Sequence, residues 1–284
     1  MRHPCQSGSR LTMVIIGGLT LSACDTIGSD FRSLKETFVQ PTPAEAAAWA
    51  VDTTDAEKQR HGVVLLGTAD FGGEKTYLEL YRLYVKESND PLVKSASMEA
   101  LARHGSAEDA PLLANQLKDA SVQVRLAAAT GLQRLHNPAV AEALYATLLD
   151  DAERSDIRVE AAVALGQYPR DDVFQALVTA LDAIELAINL AAMDSLRILT
   201  GQDFSIDRVR WIGWYQATPS SKRFEQESIY LYPTYKRTLG FWDKVTFWDP
   251  VRFERPGIPA GMATAGLRST YEIDQFGNVG RGTK

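Results

Sequence analysis

The sequence predicts an all-α fold: a right-handed α-solenoid of about five helix pairs, followed by a non-repeat, aromatic and Gly/Pro-rich extension. Three observations predict it. Four nine-residue segments, 93–101, 124–132, 157–165 and 188–196, align without gaps, with starts 31, 33 and 31 residues apart. Each opens on a branched apolar residue (Val93, Val124, Ile157, Ile188), carries a small residue at its fifth position and, except for Glu160, at its fourth, and closes on leucine. Apolar positions at i, i+4 and i+8 mark one face of a helix, and mid-face alanine lets a neighbouring helix come close. Before each lies a second amphipathic stretch, such as Tyr77 to Tyr81, Pro111 to Leu117, Ala143 to Leu148 and Phe174 to Leu181, joined to it by a polar turn. One such pair cannot bury its own stripe, so stacking of pairs is what makes the core.

The chain begins with a short region carrying Arg2 and Arg10 and no acid, then an apolar run from Leu11 to Ala23. That run suits a signal-peptide core and is too short for the ~20 residues that span a bilayer. It ends Leu21-Ser22-Ala23-Cys24, which resembles the lipobox of bacterial lipoproteins. The resemblance implies cleavage before Cys24, lipidation of that cysteine, and a mature chain held at a membrane by acyl chains. Two chains anchor stably where one is marginal. Residues 1–23 are accordingly expected to be a lipoprotein signal peptide, and 24–42 a tether. Asp25 resembles an inner-membrane retention signal of some Gram-negative bacteria; whether the membrane is inner or outer stays open.

Residues 43–217 are expected to form the solenoid with its capping helix, the first and weaker copy lying around Ala44–Ala50 and Val63–Leu66. The stretch Leu113 to Leu135, with its leucine, Asp turn, Val-Arg, paired alanines and leucine, resembles one whole HEAT-type repeat. In that family the Val-Arg helix lines the concave side. The second motif position reads Lys94, Arg125, Arg158 and Asn189, and the third reads Ser95, Leu126, Val159 and Leu190. Lys94, Arg125 and Arg158 are therefore candidates for partner binding as a basic stripe. The alternative is a structural ladder with turn carboxylates such as Asp119 or Asp156. Asn189 departs from the pattern and ends any stripe before the last repeat. Gly201 can take the left-handed conformation that stops a helix, and Asp207 then caps a last helix whose Trp211, Trp214 and Tyr215 cover the open end.

Residues 218–255 form the aromatic-rich extension, in which Phe-Trp-Asp occurs at 241–243 and again at 247–249. Phe241, Trp242, Phe247 and Trp248 are candidate contact residues. The segment either folds back on the solenoid or meets a protein or membrane interface. Residues 256–284, rich in glycine with two early prolines, read as a flexible tail.

Residues 24–217 hold 18 Lys/Arg against 29 Asp/Glu, and residues 218–284 hold 10 against 7. An acidic body argues against nucleic acid, whose binding needs a basic face. Cys24 is the one cysteine after residue 23, which rules out an intramolecular disulfide, a cysteine-ligated zinc and a thiol nucleophile beyond it. His61, His104 and His136 show no ligand spacing, so no metal is expected. No nucleophile elbow, phosphate loop or dinucleotide pattern is present, so no cofactor is expected. The reading is an exported lipoprotein of the cell envelope that serves, without catalysis, as an adaptor or scaffold for a protein partner. The alternatives are an enzyme or cofactor-handling protein like the bilin lyases, which also contain HEAT-like repeats, or a structural lipoprotein bound to peptidoglycan.

Overall fold

A computed structural model describes residues 41–224, 229–234 and 256–262, and the backbone of 271–273 and 279–281. Among the described residues, eleven α-helices run α1 Pro43–Ala50, α2 Ala56–Thr68, α3 Lys75–Glu87, α4 Pro91–His104, α5 Ala110–Asn115, α6 Val122–Leu132, α7 Ala141–Leu149, α8 Ser155–Leu165, α9 Asp171–Ala180, α10 Leu186–Thr200 and α11 Arg208–Ala217. Helices α1 to α10 make five pairs. The second helices α2, α4, α6, α8 and α10 pack one on the next, and α3 with α5, α7 with α9, and α9 with α11 do so in a second row. The fold is an α-solenoid.

The motif positions explain why the pairs stack. Val93, Val124, Ile157 and Ile188 at the first position, and Leu101, Leu132, Leu165 and Leu196 at the ninth, are all fully buried. Between them the fifth position (Ser97, Ala128, Ala161, Ala192) is also fully closed to solvent. Only small side chains fit there, because neighbouring helices nearly touch. Truncating any one of the ninth-position leucines to alanine would cost about 2–5 kcal/mol. At the first pair the approach is closer still: a Cβ on Gly62 would lie 2.2 Å from the backbone nitrogen of Ala50.

Helix starts follow from their caps. The Asp55 carboxylate accepts from the N–H groups of Glu57 and Lys58, and that of Asp90 from Leu92 and Val93 ahead of α4, which has Pro91 in its first turn. Both satisfy donors that a helix start leaves open. At the far end, α10 stops at Gly201, which holds φ 69°, a left-handed backbone that costs glycine little.

Helix α11 is a cap and not the start of a sixth repeat. Its Arg208 pairs with Asp182, just past the end of α9, at 2.6 Å, while Tyr215 near its own end stacks 4.5 Å from Phe174 near the start of α9. The two helices therefore run in opposite senses, so α11 offers no face for a further repeat to continue the row. Trp211 is fully buried, edge-on to Phe204 at 5.0 Å, and its indole N–H donates to the Ser205 carbonyl at 2.8 Å.

The extension departs in part from the expectation of a flexible tail beginning at residue 256. Tyr230 is 3% exposed and packs beside Gly166 and Ser195. Tyr232 pairs with Gly257, its N–H donating to the Gly257 carbonyl at 2.9 Å. The Ala260 N–H donates to Arg134, and the His136 N–H to Ala260, each at 2.8 Å. These backbone bonds join 229–234 to 256–262 and hold the latter against the loop that follows α6, while the Tyr230 ring packs beside Gly166 after α8. Composition misled here because a few nonlocal bonds outweigh a glycine-rich sequence. Tyr271–Ile273 (β1) and Val279–Arg281 (β2) pair antiparallel.

Candidate functional site

The second position of the motif was the first candidate site, and the structure uses those side chains internally. Lys94 meets Asp119 at 2.9 Å, in the turn of the next repeat. Arg125 reaches Glu153, again one repeat on, through Nε at 2.6 Å and Nη2 at 2.9 Å, and donates from Nη1 to the Asp119 and Ala120 carbonyls. Arg158, 6% exposed, donates from Nε to the Leu148 carbonyl at 2.9 Å and pairs with Asp151 at 2.9 Å. Asn189 is buried too, and its amide donates to the carbonyls of Ala180, Leu181 and Ala183.

Arg125, Arg158 and Asn189 thus share one task. Each donates to carbonyls at the end of the preceding helix or its turn, groups left without partners by the helix itself. Asparagine serves this task without a charge, which is why the departure at 189 is tolerated. The stripe expected to face a partner is a set of struts within and between repeats. Phe241, Trp242, Phe247, Trp248 and Cys24 lie outside the described residues.

The Arg125–Glu153 strut gives a pH-dependent expectation. Hydrogen bonds from Arg125 above all, opposed by burial and helped by the Arg154 N–H, hold the Glu153 carboxyl below its ordinary value. A depressed carboxylate adds stability that is fully present above its unfolded value, about 4.3, and is lost as pH falls through the folded value. Glu153→Gln is expected to be less stable at neutral pH and to lose less on acidification from about pH 5 to 3. Urea unfolding of both proteins across that range checks this; parallel curves would mean that the pair contributes nothing.

With the struts accounted for, a feature open to a ligand among the described residues is a cleft of about 500 Å³ on the exposed side of α4 and α6, reaching Glu160 on α8. Its walls follow the third motif position at steps of four: Ser95, Glu99 and Arg103 from α4, Leu126 and Thr130 from α6, and Arg134 just past the end of α6. Leu92, 47% exposed, extends the apolar wall. The polar groups are positioned from outside the cleft. Arg103 donates to the Gly67 carbonyl at 2.8 Å, the Arg134 guanidinium lies 4.7 Å over the Tyr232 ring, and Gln133 donates to Glu160. Tyr232 belongs to the docked extension, so that segment helps to fix one corner of the cleft.

Glu99 is the outlying charge in this cleft. Solvent reaches it from the open side, yet the walls crowd it, and burial pushes its carboxyl above the ordinary range against the pull of Arg103, Arg134 and Arg60. Sequence reasoning stopped at the third motif position and missed Glu99, Arg103 and Arg134. The signal was present, since steps of four from Ser95 and Leu126 reach all three. Among the described residues no group of three or more His, Cys, Asp or Glu side chains is placed to hold a metal, and no helix is long and apolar enough to cross a membrane.

Comparison with known proteins bears on the fold. Residues 110–197 match the family model of HEAT repeats. Similar solved structures include the complex of CpcE and CpcF of phycocyanin lyase from Nostoc sp. PCC7120, 19% identical over 56% of this chain and 77% of that one, TM-score 0.39. An engineered protein is 16% identical over 62% of this chain and 86% of that one, TM-score 0.42. Human deoxyhypusine hydroxylase in complex with glycerol is 16% identical over 60% and 89%, TM-score 0.30. No curated protein matches. The expectation that this chain lacks catalysis is corrected by these findings: a lyase and a hydroxylase are among the similar structures, so helical repeats of this kind give no ground for ruling out an enzyme. The stacked pairs make this chain a helical-repeat protein, and the repeats at 110–197 are similar to HEAT repeats.

Proposed function

We propose that this is a lipid-anchored protein of the bacterial cell envelope whose helical-repeat array binds another protein close to the membrane. The observation that carries the binding half is the cleft across α4, α6 and α8, about 500 Å³ with one apolar wall and charges of both signs. A surface that combines exposed leucine with fixed polar groups suits a polypeptide, which brings apolar and polar side chains at regular spacing. Stacked helices keep such a surface rigid, so little ordering is lost on binding. The anchoring half is supported by the apolar run that ends at Leu21-Ser22-Ala23-Cys24.

The anchor is tested by Cys24→Ser. The wild type is expected in the membrane pellet and in the detergent phase of a Triton X-114 separation, and the variant in the aqueous phase. A wild type that stays aqueous would remove lipidation from the reading. The binding half is tested by crosslinked capture from native envelopes with the full chain as bait. One protein recovered in stoichiometric yield, and absent when Leu126→Asp is the bait, is the expected result. The absence of any stoichiometric protein with the wild type would overturn it.

A further inference from the structure

The cleft that carries the protein-binding reading also has an electrostatic preference. The acidic balance of residues 24–217, 18 basic against 29 acidic side chains, sets the background. Three of its basic groups, Lys94, Arg125 and Arg158, are neutralised by Asp119, Glu153 and Asp151 and offer no free positive surface. Within the cleft, the arginines have structural commitments: Arg103 to the Gly67 carbonyl and Arg134 to the Tyr232 ring. Arg60, which acts on Glu99 from α2, is bound by Glu57. Glu160 accepts from Gln133. Glu99 lines the same cleft and is open to solvent, and burial raises its carboxyl against the pull of the three arginines around it. Beside it, Leu92 and Leu126 present an aliphatic wall.

We propose that this cleft takes an extended segment of a partner polypeptide whose lysine or arginine side chain pairs with Glu99 while its methylenes lie along Leu92 and Leu126. The match is chemical at both ends of such a side chain. Its charged tip brings hydrogen-bond donors to the crowded carboxylate, and its stem covers the apolar wall. An acidic segment would instead bring carboxylates to Glu99 and Glu160 across an already acidic surface. The inference rests on the protein-binding reading and names the chemistry of the partner.

The test uses the chain from Cys24 to Lys284 and two fluorescein-labelled heptapeptides, Ala-Lys-Ala-Lys-Ala-Lys-Ala and its glutamate counterpart, by fluorescence anisotropy at 150 mM salt. The lysine peptide is expected to bind at least tenfold more tightly than the glutamate peptide. Glu99→Gln, which keeps the shape, should weaken it at least fivefold, while Glu142→Gln on the outer row should leave it unchanged. Leu126→Arg, which lays a cation of the chain itself across the cleft, should abolish it. Equal binding of the two peptides overturns the proposal. So does an equal loss in the Glu99 and Glu142 variants, which would mean attraction to the acidic surface at large. A native partner captured equally well by wild type and Glu99→Gln would overturn this chemistry and leave the protein-binding reading standing; a wild type that captures none would overturn that reading.

Discussion

Trp211→Ala is expected to destabilise the array by about 3–5 kcal/mol, the range for a large aromatic truncated in a core that cannot collapse around it. Trp211 is fully buried among Phe174, Phe204 and Trp214, and its indole N–H holds the Ser205 carbonyl. Removing the ring empties the space between α9 and α11 and leaves that carbonyl without its donor. The effect should be local at first, because each repeat of a solenoid leans only on its neighbours. Hydrogen exchange should therefore rise in α9, α10 and α11 well before it rises in α4 and α6. A loss below 1 kcal/mol, or uniform loss of protection along the array, would contradict the view of α11 as a terminal cap. Trp211→Phe keeps most of the volume and tests the hydrogen bond separately; it should cost far less.

The repeat core was legible because one regularity governs it. The first and ninth positions of each nine-residue segment are fully buried in all four copies, and the helical period alone places them on one face. The cap was legible for a similar reason: Gly201, Asp207 and Trp211 each carry a local preference that the structure realises. What escaped was decided by nonlocal partners. Nothing about Arg125 in the sequence says that its acid lies 28 residues further on, at Glu153. Asn189 looks like a departure from a basic pattern until its three carbonyl acceptors are seen. Glu99 and Arg103 sit on the solvent side of α4 and Arg134 just past the end of α6, where periodicity imposes no residue type, so only the stacking of α4 on α6 brings them to one cleft. The candidate site was therefore displaced by one face of the helix, from the second position of the motif to the third and its successors.

The C-terminal segment is where local composition and structure part furthest, and Tyr230 is the residue that decides it. Its ring fills a slot beside Gly166, where a Cβ would come within 3.2 Å of it, and beside Ser195, whose hydroxyl is turned away to donate to the Ala162 carbonyl. Its own hydroxyl is buried and has no hydrogen-bond partner among the described residues. An unsatisfied buried hydroxyl costs about 1–3 kcal/mol, so the ring holds the segment in place despite its polar atom. Two substitutions should then move stability in opposite directions. Tyr230→Phe removes the orphan and is expected to hold the segment as firmly as the wild type or more so. Tyr230→Ala deletes the anchor, at about 3–5 kcal/mol of docking free energy, and should release 229–234 while the repeats themselves stay folded. Because Tyr232 stacks on Arg134, release should also loosen one corner of the cleft. Limited trypsin digestion checks this. The alanine variant should lose its C-terminal segment at least tenfold faster than the wild type, and the phenylalanine variant no faster, with both keeping the far-ultraviolet spectrum of the intact array. Rapid trimming of Tyr230→Phe would show that the hydroxyl has a partner that holds the segment, and slow trimming of Tyr230→Ala would shift the anchor to the backbone bonds of Ala260 with Arg134 and His136.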